Sequence, residues 1–397
     1  MSLAELDHWT DAAEAGRDEL IRLRRAIHAE PELGLDCPRT SEKLEAALAD
    51  LPLTIHRSDR TSGFVALLEG AATGPTLLLR GDMDALPIHE GTGLDFASRE
   101  DGKMHACGHD SHSAMLASAA RILCSKRNEL SGRILFMFQP GEEGHHGAKL
   151  MLEEGLLGDP LPDAAFALHI WPTLPHGSVA CRAGAMLAST DTLKARIVGR
   201  GGHAAMPHDA IDPVPVAAEV VLALQSEVAR RTPVTDPIVL SITRISAGTT
   251  HNVLPDSVEL LGTLRTLSPQ ARARGRDAFD RICTHVAAAH GCSAEVEIET
   301  GYPPTINDPR AVNLVRGIAG DSFLELAASN MGGEDFSYVL EKVPGAMAFL
   351  GVAPKGADAA ARAPLHNSGM MIDESVLPKG VALHCAFATR FLQKGWE

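Results

Sequence analysis

Two short polar stretches, His105-Ala-Cys-Gly-His-Asp-Ser-His112 and Gln139-Pro-Gly-Glu-Glu143, gather imidazoles, carboxylates and one thiol into a region otherwise built from small and aliphatic residues. Singly, these residues have ordinary explanations. A lone Cys is a small buried hydrophobe, a lone His a satisfied structural residue, and a Glu-Glu pair a solvated face. Their convergence at the ends of core elements shifts the weight toward chemistry. A bare carboxylate is costly to bury, so each glutamate at a strand tip needs a proton, a cation or a metal. Alternation at the tip aims the two in different directions. A soft thiolate, imidazoles and hard carboxylates together suit zinc or a neighbouring transition metal. The cluster reads as a metal site, and its mixed donors predict two divalent ions per chain.

The elements around the cluster must present it. Ala114 to Leu123 has helical apolar spacing, so the first stretch sits at or just before the N-terminus of a helix over 113–127. Gly132 to Phe138 is a continuous apolar run, a buried strand that ends in the second stretch. Pro75-Thr-Leu-Leu-Leu-Arg80 is another, and it delivers Asp82 and Asp84 at its carboxyl end, where open α/β sheets bind ligands. Ala164 to Leu168 is a strand that ends in His169, a further candidate ligand. The Gly- and Ala-rich stretch Pro354–Pro364 reads as a surface loop, from which His366 reaches the site. Further helices are expected over 5–30, 39–49, 146–154, 309–320 and 375–393, with strands over 64–68 and 346–350.

Composition and pattern change near Gly184. Between Leu193 and Glu299 the expected order is β-α-β-β-α-β, the pattern of a ferredoxin-like unit. The fold class is therefore α/β: an αβα domain with a central, mostly parallel mixed sheet (1–185 and 305–397), interrupted by an α+β satellite (186–304). At 397 residues the chain exceeds the usual size of a single core. A formal charge of −15 argues against nucleic acid or an anionic membrane as partner. No apolar run is long enough to span a bilayer. Met1-Ser-Leu-Ala-Glu-Leu-Asp-His8 lacks a basic n-region followed by an apolar h-region, so no signal peptide is expected. Seven cysteines without framework spacing predict reduced thiols and a cytoplasmic protein.

Five motifs in order along nearly the whole chain resemble those of hippurate hydrolases and plant auxin–amino acid conjugate hydrolases, in the aminoacylase/carboxypeptidase family of two-metal hydrolases. They are His105–His112, Gln139–Glu143, Gly201-Gly-His-Ala-Ala-Met-Pro-His208, Met331-Gly-Gly-Glu-Asp-Phe336 and Leu365-His-Asn367. The resemblance implies Cys107, His109, Glu143, His169 and His366 as metal ligands, with Cys107 bridging two metals. It implies Glu142 as general base and His203 as donor to the oxyanion, which in this family can come from the partner subunit of a dimer. Asn252 and Arg265 would hold the substrate carboxylate, for which a bidentate arginine is suited. Much of the wider family has His-x-Asp where this chain has Asp82-Met-Asp84, and a bridging Asp where this chain has Cys107. Asp82 is accordingly left out of the expected ligand set, and Asp84 is expected to orient a ligating histidine. The satellite domain is expected to act as a lid and to form a dimer or tetramer.

The reaction implied is hydrolysis of the amide bond of N-acyl amino acids, with zinc, manganese, cobalt or nickel as the metal. Metal binding brings the pKa of water from ~15.7 to ~7, and one carboxylate carries its proton to the leaving amine. The same scaffold would also suit a dipeptidase or carboxypeptidase. A Cys107 nucleophile with His105 or His109 as base leaves the glutamate pair without work. A structural zinc site would be closed by Cys and His, whereas this cluster is rich in carboxylates.

Overall fold

Leu77, Leu78, Leu79 and Arg80 are all buried, so the strand that carries them has no solvent face and belongs inside a sheet covered on both sides. That is its place in the structure, a computed structural model that describes residues 4–397. The signal-peptide reading falls in part on residues 1–3, which lie outside the described residues. No helix among the described residues is long and apolar enough to cross a membrane.

The chain forms two compact units. The first runs up to Gly184 and resumes over Ile306–Ala327 and Asp335–Glu397. The second comprises Ala185–Thr305 and Ala328–Glu334. That last segment is remote in sequence from the rest of its unit, so a linear reading with boundaries after 185 and 304 has no means of assigning it.

The first unit opens with helices α1 (Ala4–Ala15), α2 (Arg17–His28) and α3 (Pro38–Leu48). The expected helix over 5–30 is thus two helices, broken at Gly16. Strands β1 (Thr54–Arg57), β2 (Phe64–Glu69) and β3 (Ala72–Asp82) follow, then α4 (His109–Ser125), β4 (Ser131–Gln139), α5 (Gly147–Glu153), β5 (Ala164–Trp171) and β6 (Val179–Cys181). The second unit supplies β7 (Asp191–Val198), α6 (Pro213–Arg231), β8 (Ile238–Ala247), β9 (Ser257–Thr266), α7 (Pro269–Ala289) and β10 (Ser293–Thr300). The first unit then closes with α8 (Pro309–Ala319), β11 (Phe323–Glu325), β12 (Gly345–Gly351) and α9 (Leu377–Lys394).

Its eight-stranded sheet has the order β1-β2-β4-β3-β5-β12-β6-β11. The central pairs β4–β3, β3–β5 and β5–β12 are parallel, whereas β1–β2, β2–β4 and β12–β6 are antiparallel. The parallel centre points the carboxyl ends of β3, β4 and β5 to one edge, which is where a doubly covered sheet presents ligand-binding groups.

The second unit has the sheet order β8-β9-β7-β10, antiparallel throughout. Leu193, Ile197, Leu240, Val258, Leu260 and Leu264 on one face join Val220 and Leu224 of α6 and Phe279 of α7 in one core. The β-α-β-β-α-β pattern read from the sequence is the order in which these elements occur.

Candidate metal centre

The sheet places the chemical groups. β3 ends at Asp82 with Asp84 just beyond, and β4 ends at Gln139, so Glu142 and Glu143 follow from its tip. His169 lies inside β5, paired in register with Phe349 of β12, rather than after the strand's end. The strand continues through Ile170 and Trp171 because it has a parallel partner on that side. α4 begins at His109, several residues earlier than its apolar periodicity indicates. Polar His109 to Ser113 are all buried there, which no periodicity rule anticipates. His366 sits in a loop with a left-handed backbone (φ 62°), and its N–H donates to Ala106 O at 2.9 Å. That bond ties the last expected ligand to the segment bearing Cys107.

Cys107, His109 and His169 bring one donor atom each within 4.8 Å of one another, and so do Cys107, Glu143 and His366. Cys107 belongs to both groups. His366 Nε2 lies 3.1 Å from Glu143 Oε1, and Cys107 Sγ lies 3.4 Å from His169 Nε2. Glu142 also falls in a group with His109 and Glu143, so distance alone does not separate the two glutamates. Glu143 pairs with His366, and Glu142 Oε1 accepts the backbone N–H of Asp335 at 3.4 Å.

A further group, Asp82, His109 and His112, has the spacing of a metal site, but two of its members are engaged with other partners. His112 Nε2 accepts the N–H of Ile170 at 2.8 Å, so its Nδ1–H donates to Asp82 Oδ1 at 2.6 Å. Arg80 Nη1 donates to Asp82 Oδ2 at 2.6 Å. Both oxygens of Asp82 are engaged inside the protein. Asp84 does more than the sequence indicates. Its Oδ1 lies 3.4 Å from His109 Nδ1, and its two oxygens also accept the N–H groups of Glu142 and Glu143, each at 3.0 Å.

The donors fit divalent cations. Burial pushes the Cys107 thiol up. Hydrogen bonds to Cys107 and Glu143 push His366 up to about 10. Burial opposes a charge on His109, but Asp82 and Cys107 outweigh it and hold that imidazole well above its usual value. A metal binds such a set by displacing its protons. The His169 tautomer suits this exchange. Its Nδ1–H donates to Ile170 O at 2.7 Å, which turns the Nε2 lone pair toward Cys107. Burial and the neighbouring His112 keep it neutral, well below its usual pKa. Neither ring nitrogen of buried His109 makes a well-formed hydrogen bond.

The remaining expected residues lie in the second unit. His203 and Gly202 pair with Val253 and Leu254, and Ala204 N–H donates to Asn252 O at 3.1 Å, so His203 and Asn252 are neighbours. His203 Nδ1 accepts the N–H of Ala205 at 3.0 Å, leaving Nε2–H as an exposed donor. Arg265, on β9, is half-buried, and burial lowers its pKa despite the attraction of Asp191. Asp191 itself is taken by Arg272 Nη2 and Arg276 Nη2, each at 2.6 Å. No hydrogen bond or ion pair among the described residues holds the Arg265 guanidinium. Arg80, His112 and Asp335 were given no role by the sequence. His112 and Asp335 stand inside quoted motifs, and the signal for Arg80 is a charge closing an all-apolar strand.

The sequence model of peptidase family M20/M25/M40 matches residues 78–390. An IAA-amino acid hydrolase (ILR1-like 2) of Arabidopsis thaliana is 38% identical over 386 residues, covering 95% of this chain and 86% of that one. Thermostable carboxypeptidase 1 of Saccharolobus solfataricus is 36% identical, covering 95% and 96%. Among solved structures, the Bacillus subtilis YXEP protein, described as a dinuclear metal binding peptidase, superposes with a TM-score of 0.83 at 33% identity, covering 96% and 99%.

Proposed function

The chain belongs to peptidase family M20/M25/M40, and from that membership we propose that it hydrolyses the amide bond of N-acyl amino acids, releasing a carboxylic acid and a free amino acid. The observation that carries the reading is the double membership of Cys107, whose sulfur is within ligand range of two donor groups. Cys107, His109, Glu143, His169 and His366 would hold two divalent metals (zinc, manganese, cobalt or nickel). Bound there, the metals would polarise the scissile carbonyl and lower the pKa of the attacking water.

Glu142 accepts the water's proton and returns it to the leaving nitrogen. His203 presents Nε2–H to the developing oxyanion. Arg265, without an internal partner, pairs with the carboxylate beside the scissile bond, and Asn252 assists it. That carboxylate is common to N-acyl amino acids and to the substrates of a carboxypeptidase. The two readings therefore differ only in what lies on the acyl side. The satellite unit serves as lid and as oligomer interface, for which the outer edge of β8, with Val239 and Ile245 exposed, offers unpaired backbone. All seven cysteines are free and buried, in keeping with a cytoplasmic protein.

The test combines metal analysis with a substrate panel. After reconstitution the protein should hold two metal equivalents, Cys107→Ala should lower that number, and N-benzoyl-glycine or N-acetyl amino acids should be cleaved faster than dipeptides. Full activity after exhaustive chelation would sink the proposal. Glu142→Gln should keep its metal while kcat falls ~10²–10⁴-fold. Glu143→Gln should lose metal affinity and be partly rescued by added metal.

A further inference from the structure

The motif Met331–Phe336 contains a buried carboxylate, Asp335, that neither holds metal nor faces substrate in the reading above. Its side chain is one of the most fully engaged in the first unit. Arg80 Nη2 donates to Oδ1 at 3.1 Å, Gln139 Nε2 to Oδ1 and Oδ2 at 2.8 and 2.9 Å, and Ala148 N–H to Oδ2 at 2.9 Å. Arg80 is itself braced, with Nε on Gln139 Oε1 at 2.8 Å and Nη1 on Asp82. The next residue, buried Phe336, lies with its ring centroid 5.7 Å from the Arg80 guanidinium carbon. Anchoring on both side chains fixes the backbone of residues 335 and 336 against β3, the tip of β4 and α5. The amide so fixed is the one that donates to Glu142 Oε1 at 3.4 Å.

We propose that Asp335, braced by Arg80 and Gln139, is the positioning residue that aims the Glu142 carboxylate for proton transfer. Asp84 grips the same glutamate from its backbone side, through the N–H. Two acids therefore hold opposite ends of Glu142. The Asp335 carboxylate is already saturated by donors, so it acts on Glu142 through its backbone amide and not by exchanging a proton. Proton transfer depends steeply on distance and direction. A carboxylate displaced by about an ångström costs on the order of 10²-fold.

This rests on Glu142 being the general base, and the test separates the two ideas. Asp335→Asn replaces an acceptor oxygen by an NH2 group facing donors, and is combined with Glu142→Gln in a double-mutant cycle. In the wild-type background kcat should fall ~10- to 10²-fold, with KM little changed and two metal equivalents retained. In the Glu142→Gln background the same change should cost less than ~3-fold, because the carboxylate it positions is gone. An equal fold-loss in both backgrounds, or a metal content that falls in step with kcat, would overturn the positioning role. Near-normal kcat in Glu142→Gln alone would instead refute the general-base reading, whatever the cycle shows. If Asp335→Asn does not fold, Gln139→Met removes the Nε2 donor from Asp335, and with it the acceptor of Arg80 Nε, without adding a charge. It should give a smaller loss with the same non-additivity, and an additive loss overturns the proposal.

Discussion

Asp84→Asn is a change of one atom whose consequences can be worked out from the geometry. Asp84 is buried, and its oxygens accept the N–H groups of Glu142 and Glu143, each at 3.0 Å. Asparagine offers one oxygen and one NH2. Whichever way it turns, one backbone N–H faces another donor where solvent cannot reach. A hydrogen bond to a charged group is worth ~1.5–3 kcal/mol, and a stranded buried donor costs ~1–3 kcal/mol. These are two descriptions of largely the same loss, so the expected destabilisation is roughly 2–3 kcal/mol and not their sum. Function should suffer more than stability, because the turn that shifts carries both the proposed base and a proposed metal ligand. A displacement near an ångström at each would reduce kcat by about 10² or more and weaken metal binding as well. The assay is denaturant unfolding of the metal-free variant, with metal titration and kcat on the loaded one. Stability within ~0.5 kcal/mol of wild type together with unchanged kcat would show that the two N–H bonds do not hold the glutamates in place.

Gly108 has φ 88°, and an added Cβ would come within 2.5 Å of buried Ile170 Cγ1. Gly108→Ala should therefore cost ~2–5 kcal/mol from left-handed backbone plus overpacking, and it should lower metal affinity by moving Cys107 and His109. An unaltered melting curve would refute this. Glu90 has its side chain buried against His28, Thr92 and the Ser98 N–H; burial alone would raise its pKa, but those hydrogen bonds win and lower it to about 2. Because the folded value is depressed, its stabilisation is present above the ordinary carboxylate pKa and is lost as pH falls toward 2. The stability gap between wild type and Glu90→Gln, measured on metal-free protein, should be ~1–3 kcal/mol at neutral pH and close as the solution is acidified. A gap that widens in acid would contradict the sign.

How much was legible depended on whether a signal was local. β3 and β4 were readable as runs such as Leu77-Leu-Leu79 and Ile134-Leu-Phe136, because a strand buried on both faces has to be apolar throughout. α4 was readable only from Ala114 onward. Its first turn, His109 to Ser113, is polar and yet buried; His112 finds a partner inside the protein in Asp82, and Ser113 in the backbone carbonyl of His109. Continuous apolar runs announce a core, whereas a buried polar turn looks like a surface until its partners are known. The strand around His169 was ended too early for a related reason: nothing in Ile170-Trp171 announces that β12 runs alongside.

By itself the sequence determined the inventory of this protein: which donors it owns, that they stand at the ends of apolar strands, and that an α+β unit interrupts an α/β one. Those features follow from residue type and period, which act over a few residues. Only the tertiary structure decided which donors meet. Cys107, Glu143 and His366 come from three distant segments, and the bond from His366 N–H to Ala106 O that unites two of them is made by backbone atoms any residue would supply. Asp82, left out of the ligand set expected from the sequence, is in three dimensions a buried counter-ion of Arg80 that also accepts the Nδ1–H of His112. Asp335 stands inside a motif that the sequence shows without giving the residue a role. Its importance lies in a backbone amide whose direction is set by groups on β3, β4 and α5, and residue identity carries no record of such a direction.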